Sequence, residues 1–208
     1  GTGQHVLTAA LAKGMDVTAV VRSANKAPKF SDQRLTVVVG DPCDPGFLKD
    51  TLCGKDVVIS TLGGRRPTQE ATSVYYRSVD AITEAARDTG LKRVLVTSSA
   101  LLFRKQSFTG KILRALVPNI VHSASLMEHK LEASGLIWTS ARPGFLTDTN
   151  EATYRAEPDA APSRSLSVSR TALATFLIDA IDNPETYGAA FGVSRAAASV
   201  IMPSPGET

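Results

Sequence analysis

Five short runs dominated by β-branched residues punctuate the chain: "DVTAVV" (Asp16 to Val21), "LTVVV" (Leu35 to Val39), "DVVIST" (Asp56 to Thr61), "RVLVT" (Arg93 to Thr97) and "IWTSA" (Ile137 to Ala141). Runs of this length without polar alternation read as strands covered on both faces. Helical patterns separate them. Val6, Leu7, Ala10 and Leu11 form an i, i+3, i+4 stripe that Gly14 stops. Further helices are predicted over Pro45 to Leu52, over Thr68 to Asp88 with Gly90 as the C′ residue, and over Ser123 to Ala133. A last helix follows Ser169 as N-cap and turns Leu173, Phe176, Leu177, Ala180 and Ile181 inward. Strand and helix in this alternation imply right-handed βαβ crossovers and an α/β fold, a Rossmann-like doubly wound parallel sheet with helices on both faces.

With 208 residues and 43% hydrophobic content, the chain can fill one ordinary core. A single domain is expected over residues 1–194, followed by a tail over 195–208. Two stretches interrupt the alternation, Leu101 to Val121 and Thr147 to Leu166. Both follow the carboxyl end of a strand, where insertions build substrate pockets.

The chain opens on "GTGQ", a glycine turn already entering a helix. In the strand order 3-2-1-4-5-6 a central strand leads into such a turn, and without it two neighbouring strands would each expose an edge. The first strand is therefore expected to be missing from this sequence, with roughly ten residues preceding Gly1.

Composition excludes several classes. Cys43 and Cys53 form no metal or redox spacing, and two spare thiols suit a reducing, cytoplasmic setting. No apolar run reaches the ~18–20 residues that span a bilayer, so no membrane partner is expected. A net charge of +3, with Lys and Arg scattered, gives no nucleic-acid footprint. His122 and His129 lie seven apart without a third ligand, so no metal is expected.

Gly1 and Gly3 precede a helix, where absent side chains let a pyrophosphate approach backbone N–H groups and the positive helix end. A plain tight turn would use the same residues, but the strand that follows ends at Arg22, about 20 residues on, where the adenosine ribose is read. A guanidinium there pairs with a 2′-phosphate, so Arg22, helped by Lys26, points to NADP(H) over NAD(H).

The segments "GTGQHVLTAALAKG", "VVRS", "GDPCD", "STLGG", "TSSALLF" and "SGLIWTSARPGFLTD" resemble the atypical short-chain dehydrogenases with NAD(P)-binding NmrA-like domains. The closest likeness is to the biliverdin reductase B or flavin reductase type, over about residues 1–193. The resemblance implies that Gly1, Thr2, Gly3 and Gln4 hold the pyrophosphate and that Asp41 and Pro42 edge the adenine. It further implies Leu62, Gly63 and Arg65 along the ribose and pyrophosphate, and Thr97, Ser98 and Ser99 beside the nicotinamide. Arg142, Pro143 and Gly144 would close over its ring.

Typical short-chain dehydrogenases place a Tyr four residues before a Lys, yet Ile120 and Ala124 stand at those places, and Gly144 stands where the biliverdin reductase B type has His. Ser99 matches the family's active-site serine and is the catalytic candidate. A site that holds NADPH without a strong acid suits planar acceptors whose delocalised anions are protonated by solvent: flavins, quinones or linear tetrapyrroles. Phe103 and Phe108, beside Arg104, Lys105, Lys111 and Arg114, are expected to cover such an acceptor or else to form a surface helix with snorkelling cations. The expected protein is a monomer or weak dimer acting on a small molecule. The alternative is an NmrA-like NADP(H) redox sensor that performs no chemistry and signals through a protein partner.

Overall fold

The computed structural model describes residues 1–64, 66–104, 108–160 and 167–196. Its elements run α1 (Thr2–Ala12), β1 (Val17–Val21), β2 (Leu35–Val39), α2 (Pro45–Leu52), β3 (Val57–Ser60), α3 (Gln69–Thr72), α4 (Val74–Thr89) and β4 (Arg93–Thr97). There follow α5 (Phe108–Leu116), α6 (Pro118–Ala133), β5 (Ile137–Pro143), β6 (Phe145–Thr147), β7 (Tyr154–Pro158), β8 (Ser167–Ser169), α7 (Arg170–Asp179) and β9 (Ala189–Arg195).

Strand β4 shows how the core is laid. Its side chains alternate across the sheet: Leu95 joins Val6, Ala10, Leu173 and Leu177 from α1 and α7. Val94 and Val96 join Leu48, Val79, Met127 and Leu131 from α2, α4 and α6. All three valine and leucine side chains are fully buried, as expected for a parallel strand with helices on both faces.

The predicted parallel pairings hold for β1–β2, β3–β4 and β4–β5, and β5 pairs in parallel with β9. The outer strand β7 runs antiparallel to β9. Five strands form one sheet in the order β3-β4-β5-β9-β7, β1 and β2 form another, and β6 and β8 a third. Strand β1, expected to be fully covered, is half-buried along its whole length, because it hydrogen-bonds only to β2 among the described residues.

Caps fall where the residues place them. Gly90 ends α4 at φ 74°, the left-handed conformation that favours glycine. Asp44 caps α2 by accepting from the Gly46 and Phe47 amides at 2.9 and 3.2 Å, and Ser169 caps α7 through the Ala172 amide at 2.8 Å. The helix predicted over Thr68 to Asp88 is divided at Ser73 into α3 and α4. The stretch after β4 is more helical than expected, since α6 begins at Pro118 rather than Ser123. Arg195, the first residue of the expected tail, still belongs to β9 and pairs with Tyr154. No helix among the described residues is long and apolar enough to cross a membrane.

Candidate functional site

The carboxyl ends of β1 to β5 and the turns after them carry the described residues expected around a cofactor, apart from those of the α1 turn. At α1, the Gln4 amide donates to the Gly1 carbonyl at 3.0 Å, and the first turn contains no acidic residue. Space beside Gly1 is open: a Cβ there would meet nothing within 4 Å. Gly3 is closely backed, since its Cβ would come 2.9 Å from Thr61 Oγ1 at the end of β3. The helix start and the "TLGG" turn are thus neighbours, with Leu62 half-buried and Gly63 exposed. A Cβ on Gly63 would lie 3.2 Å from the Tyr75 phenol oxygen. Burial raises the pKa of that phenol. A hollow of about 340 Å³ lined by Gln4, His5, Thr8 and Thr171 adjoins the same helix.

The Gly40 amide donates to the Val21 carbonyl at 3.0 Å, which sets Arg22 beside the turn that follows β2. There Asp41 Oδ1 accepts from the Cys43 amide at 2.9 Å, and Pro42 is buried. Burial, with Asp41, pushes the Cys43 thiol up, while the charges of Arg77 and Arg22 pull it the other way. Arg22 and Lys26 are exposed, and neither has an ion-pair partner among the described residues. No bond joins Lys26, on the 3-10 turn Ala24–Lys26, to Arg22. Gly40 itself has no room for a side chain, because a Cβ would meet the Phe47 ring at 2.4 Å.

After β4, the Ser98 amide donates to the Ala141 carbonyl at 2.7 Å, bringing Thr97 to Ser99 alongside Arg142. Ser98 Oγ is buried without a hydrogen-bond partner among the described residues. Ser99 caps the following turn by accepting from the Leu101 amide at 3.3 Å, which leaves its own hydroxyl hydrogen uncommitted. Buried polar atoms in native proteins are nearly always paired, so the partner of the Ser98 hydroxyl is to be sought in a water, an ion or a bound molecule.

Arg142 does not point freely over this space. Its Nε and Nη2 donate to Glu128 on α6 at 3.0 and 2.5 Å, and its guanidinium lies 4.8 Å from the centroid of the Phe103 ring. Ser140 Oγ also donates to Glu128, at 2.6 Å. Pro143 is buried and Gly144 half-buried between β5 and β6. Phe103 is only 3% exposed whereas Phe108 is 78% exposed; of the two outcomes expected for this stretch, Phe108 lies on a surface helix, α5, while Phe103 packs against Arg142. Arg65 and Lys105 lie outside the described residues.

Glu128 was not among the residues picked from the sequence, although a signal existed. It occupies an inward position of α6 with Ala124, Met127 and Leu131, and an acid on an apolar face needs a buried partner. Of the two histidines on α6, His129 Nδ1 lies 2.7 Å from the Ser125 carbonyl. No cluster of metal-binding side chains occurs among the described residues.

Open glycine space at a helix start, an uncommitted arginine after β1 and two unspent hydroxyls after β4 fit a dinucleotide laid across the strand ends. The fold and the residues at its strand ends together define a Rossmann-type nucleotide-binding α/β protein. Residues 1–184 match the family model described as NAD(P)H-binding, and the chain belongs to that family. Its fold is shared with a short-chain dehydrogenase/reductase from Veillonella parvula solved in complex with NADP (TM-score 0.78, 22% identity, 95% of this chain and 91% of that one covered). It is also shared with an anaerobilin reductase from Escherichia coli (0.74, 24%, 98% and 95%) and a Rossmann-fold NAD(P)-binding protein from Shigella flexneri (0.73, 22%, 97% and 93%).

Proposed function

We propose that this protein is an NADPH-dependent reductase of a flavin, a quinone or a similar conjugated acceptor, akin to the biliverdin reductase B type. The carrying observation is the Ser98–Ser99 pair: two adjacent hydroxyls with unspent hydrogen-bonding capacity at the strand end where a nicotinamide is expected. NADPH, when bound, supplies the hydride. Gly1 to Gln4 and Gly63 would hold its pyrophosphate, and Arg22 would pair with its 2′-phosphate. Ser99 donates its hydrogen to a heteroatom of the acceptor and orients it, and Ser98 anchors the cofactor's amide or ribose. The Glu128-bound Arg142 walls the crevice behind Phe103. No residue here needs to be a strong acid, because a delocalised acceptor anion takes its proton from water.

The choice of NADPH rests on Arg22 standing without a carboxylate partner, and the NADP bound by the Veillonella relative supports it. A second reading, an NADP(H) sensor acting through a protein partner, is favoured by Ala124, which is fully buried on α6 and offers no ammonium. Two measurements separate the readings. Thermal shift should show NADPH stabilising the protein by about 2.7 kcal/mol at a hundredfold excess over Kd, and more than NADH does. NADPH oxidation should then be followed with FMN, a quinone and biliverdin. Turnover on any of them supports the reductase, and binding without turnover on all three supports the sensor.

A further inference from the structure

Helix α5 is built the wrong way round for a helix that packs on its own protein. A surface helix turns its large apolar side chains inward. Here Phe108, Ile112 and Leu116, spaced i, i+4, i+8 within an arc of about 80°, are 78, 47 and 70% exposed. The half-buried side is instead Gly110 and Leu113, and no residue of α5 is buried. The acidic residues are missing from this whole stretch of sequence. No Asp or Glu occurs between Asp88 and Glu128, while Lys111 and Arg114 lie on the helix and Arg104 shortly precedes it. Arg104 and Lys111 are exposed, and Arg114 reaches back to the Leu101 carbonyl at 2.9 Å, which clamps the helix to the body with its apolar ridge outward.

An apolar ridge with exposed cations on and beside its own helix matches the surface of an anionic bilayer: the ridge enters the acyl boundary and the lysine and arginine heads stay among phosphates. We infer that α5 is a docking surface for an anionic lipid membrane, which holds the protein peripherally. The sequence-based expectation of no membrane partner rested on the lack of a spanning segment, a different property. A second copy of the chain would bring the same cations face to face, so charge disfavours it as the occupant. The inference stands apart from the reductase reading.

Co-sedimentation with vesicles tests it. The full chain should bind phosphatidylcholine vesicles containing phosphatidylglycerol, bind pure phosphatidylcholine far less, and be released by salt. The double variant Phe108→Ser, Leu116→Ser should lose about tenfold or more of that binding, and Lys111→Glu should weaken it on anionic vesicles. Both should keep the wild-type melting temperature and NADPH-induced shift, since these side chains touch no core. Equal binding to both vesicle types, or unchanged binding by the double serine variant, would overturn the inference. So would a lipid-free dimer, seen in sedimentation velocity, that the double serine variant abolishes.

Discussion

Glu128 and Arg142 close a fork between α6 and β5, with Nε on one carboxylate oxygen and Nη2 on the other at 3.0 and 2.5 Å. Both side chains are largely withdrawn from water, at 6 and 17% exposure. The fork fixes the plane of the guanidinium, and that plane rests on Phe103. One ion pair therefore ties α6, β5 and the segment after Ser99 together.

Removing one partner of a buried pair strands the other. Glu128→Ala should cost about 3–5 kcal/mol of stability, read as a fall in the urea midpoint. Glu128→Gln keeps an acceptor for Ser140 and Arg142 and should cost less. Equal effects from both variants would mean that the carboxylate charge contributes nothing.

The buried Ser98 hydroxyl makes no hydrogen bond to protein among the described residues, so packing does not depend on it. Ser98→Ala should leave stability unchanged or raise it by up to about 1 kcal/mol, while weakening NADPH binding. A variant that is destabilised with unchanged cofactor affinity would place the hydroxyl in the packing instead.

Arg22 should decide between the two nicotinamide cofactors. Charge-assisted hydrogen bonds contribute about 1.5–3 kcal/mol, so Arg22→Ala should weaken NADPH binding by roughly ten- to a hundredfold and leave NADH nearly untouched. Calorimetric titration of both cofactors on both proteins checks this.

Tyr154 sets an alkaline limit. Burial first, then its hydrogen bond to Asp179 at 3.0 Å, raises its phenol from 10.0 to about 12. The folded state holds that proton more tightly than the unfolded one, so the contribution is complete below the unfolded value and is lost as pH rises from 10.0 towards about 12. Tyr154→Phe should remove this part of the slope in melting temperature against pH. An unchanged slope would show that Tyr154 does not carry it.

Much of this architecture is legible in the residues. The α1 stripe of Val6, Leu7, Ala10 and Leu11 is buried as read, and Pro45–Leu52 and Leu35–Val39 fall on the predicted bounds. Periodicity and capping are local, so the sequence carries them. Strand β9 escaped because "AAFGVSR" is small and glycine-bearing. Its strand state comes from lying between β5 and β7. The break at Ser73 is tertiary as well: Thr72, fully buried, accepts from Ser123 of α6 at 3.0 Å. Arg93, read only as the start of a strand, donates to the Ala180 and Ile181 carbonyls at 2.6 and 3.0 Å. It thereby ties the end of α7 to the sheet, a contact joining residues far apart in the chain. For the site, strand ends were readable from topology. The orphan state of Ser98 and the capture of Arg142 by Glu128 were not, because each depends on what packs around it.

The most direct test of the account is a single-turnover experiment: protein loaded with NADPH is mixed with FMN or menadione, and the reduced nicotinamide absorbance is followed. The account predicts that the bound NADPH is consumed in step with the acceptor, and that Ser99→Ala slows the decay without weakening NADPH binding. Bound NADPH that stays reduced in the presence of every acceptor, at full occupancy, would contradict it.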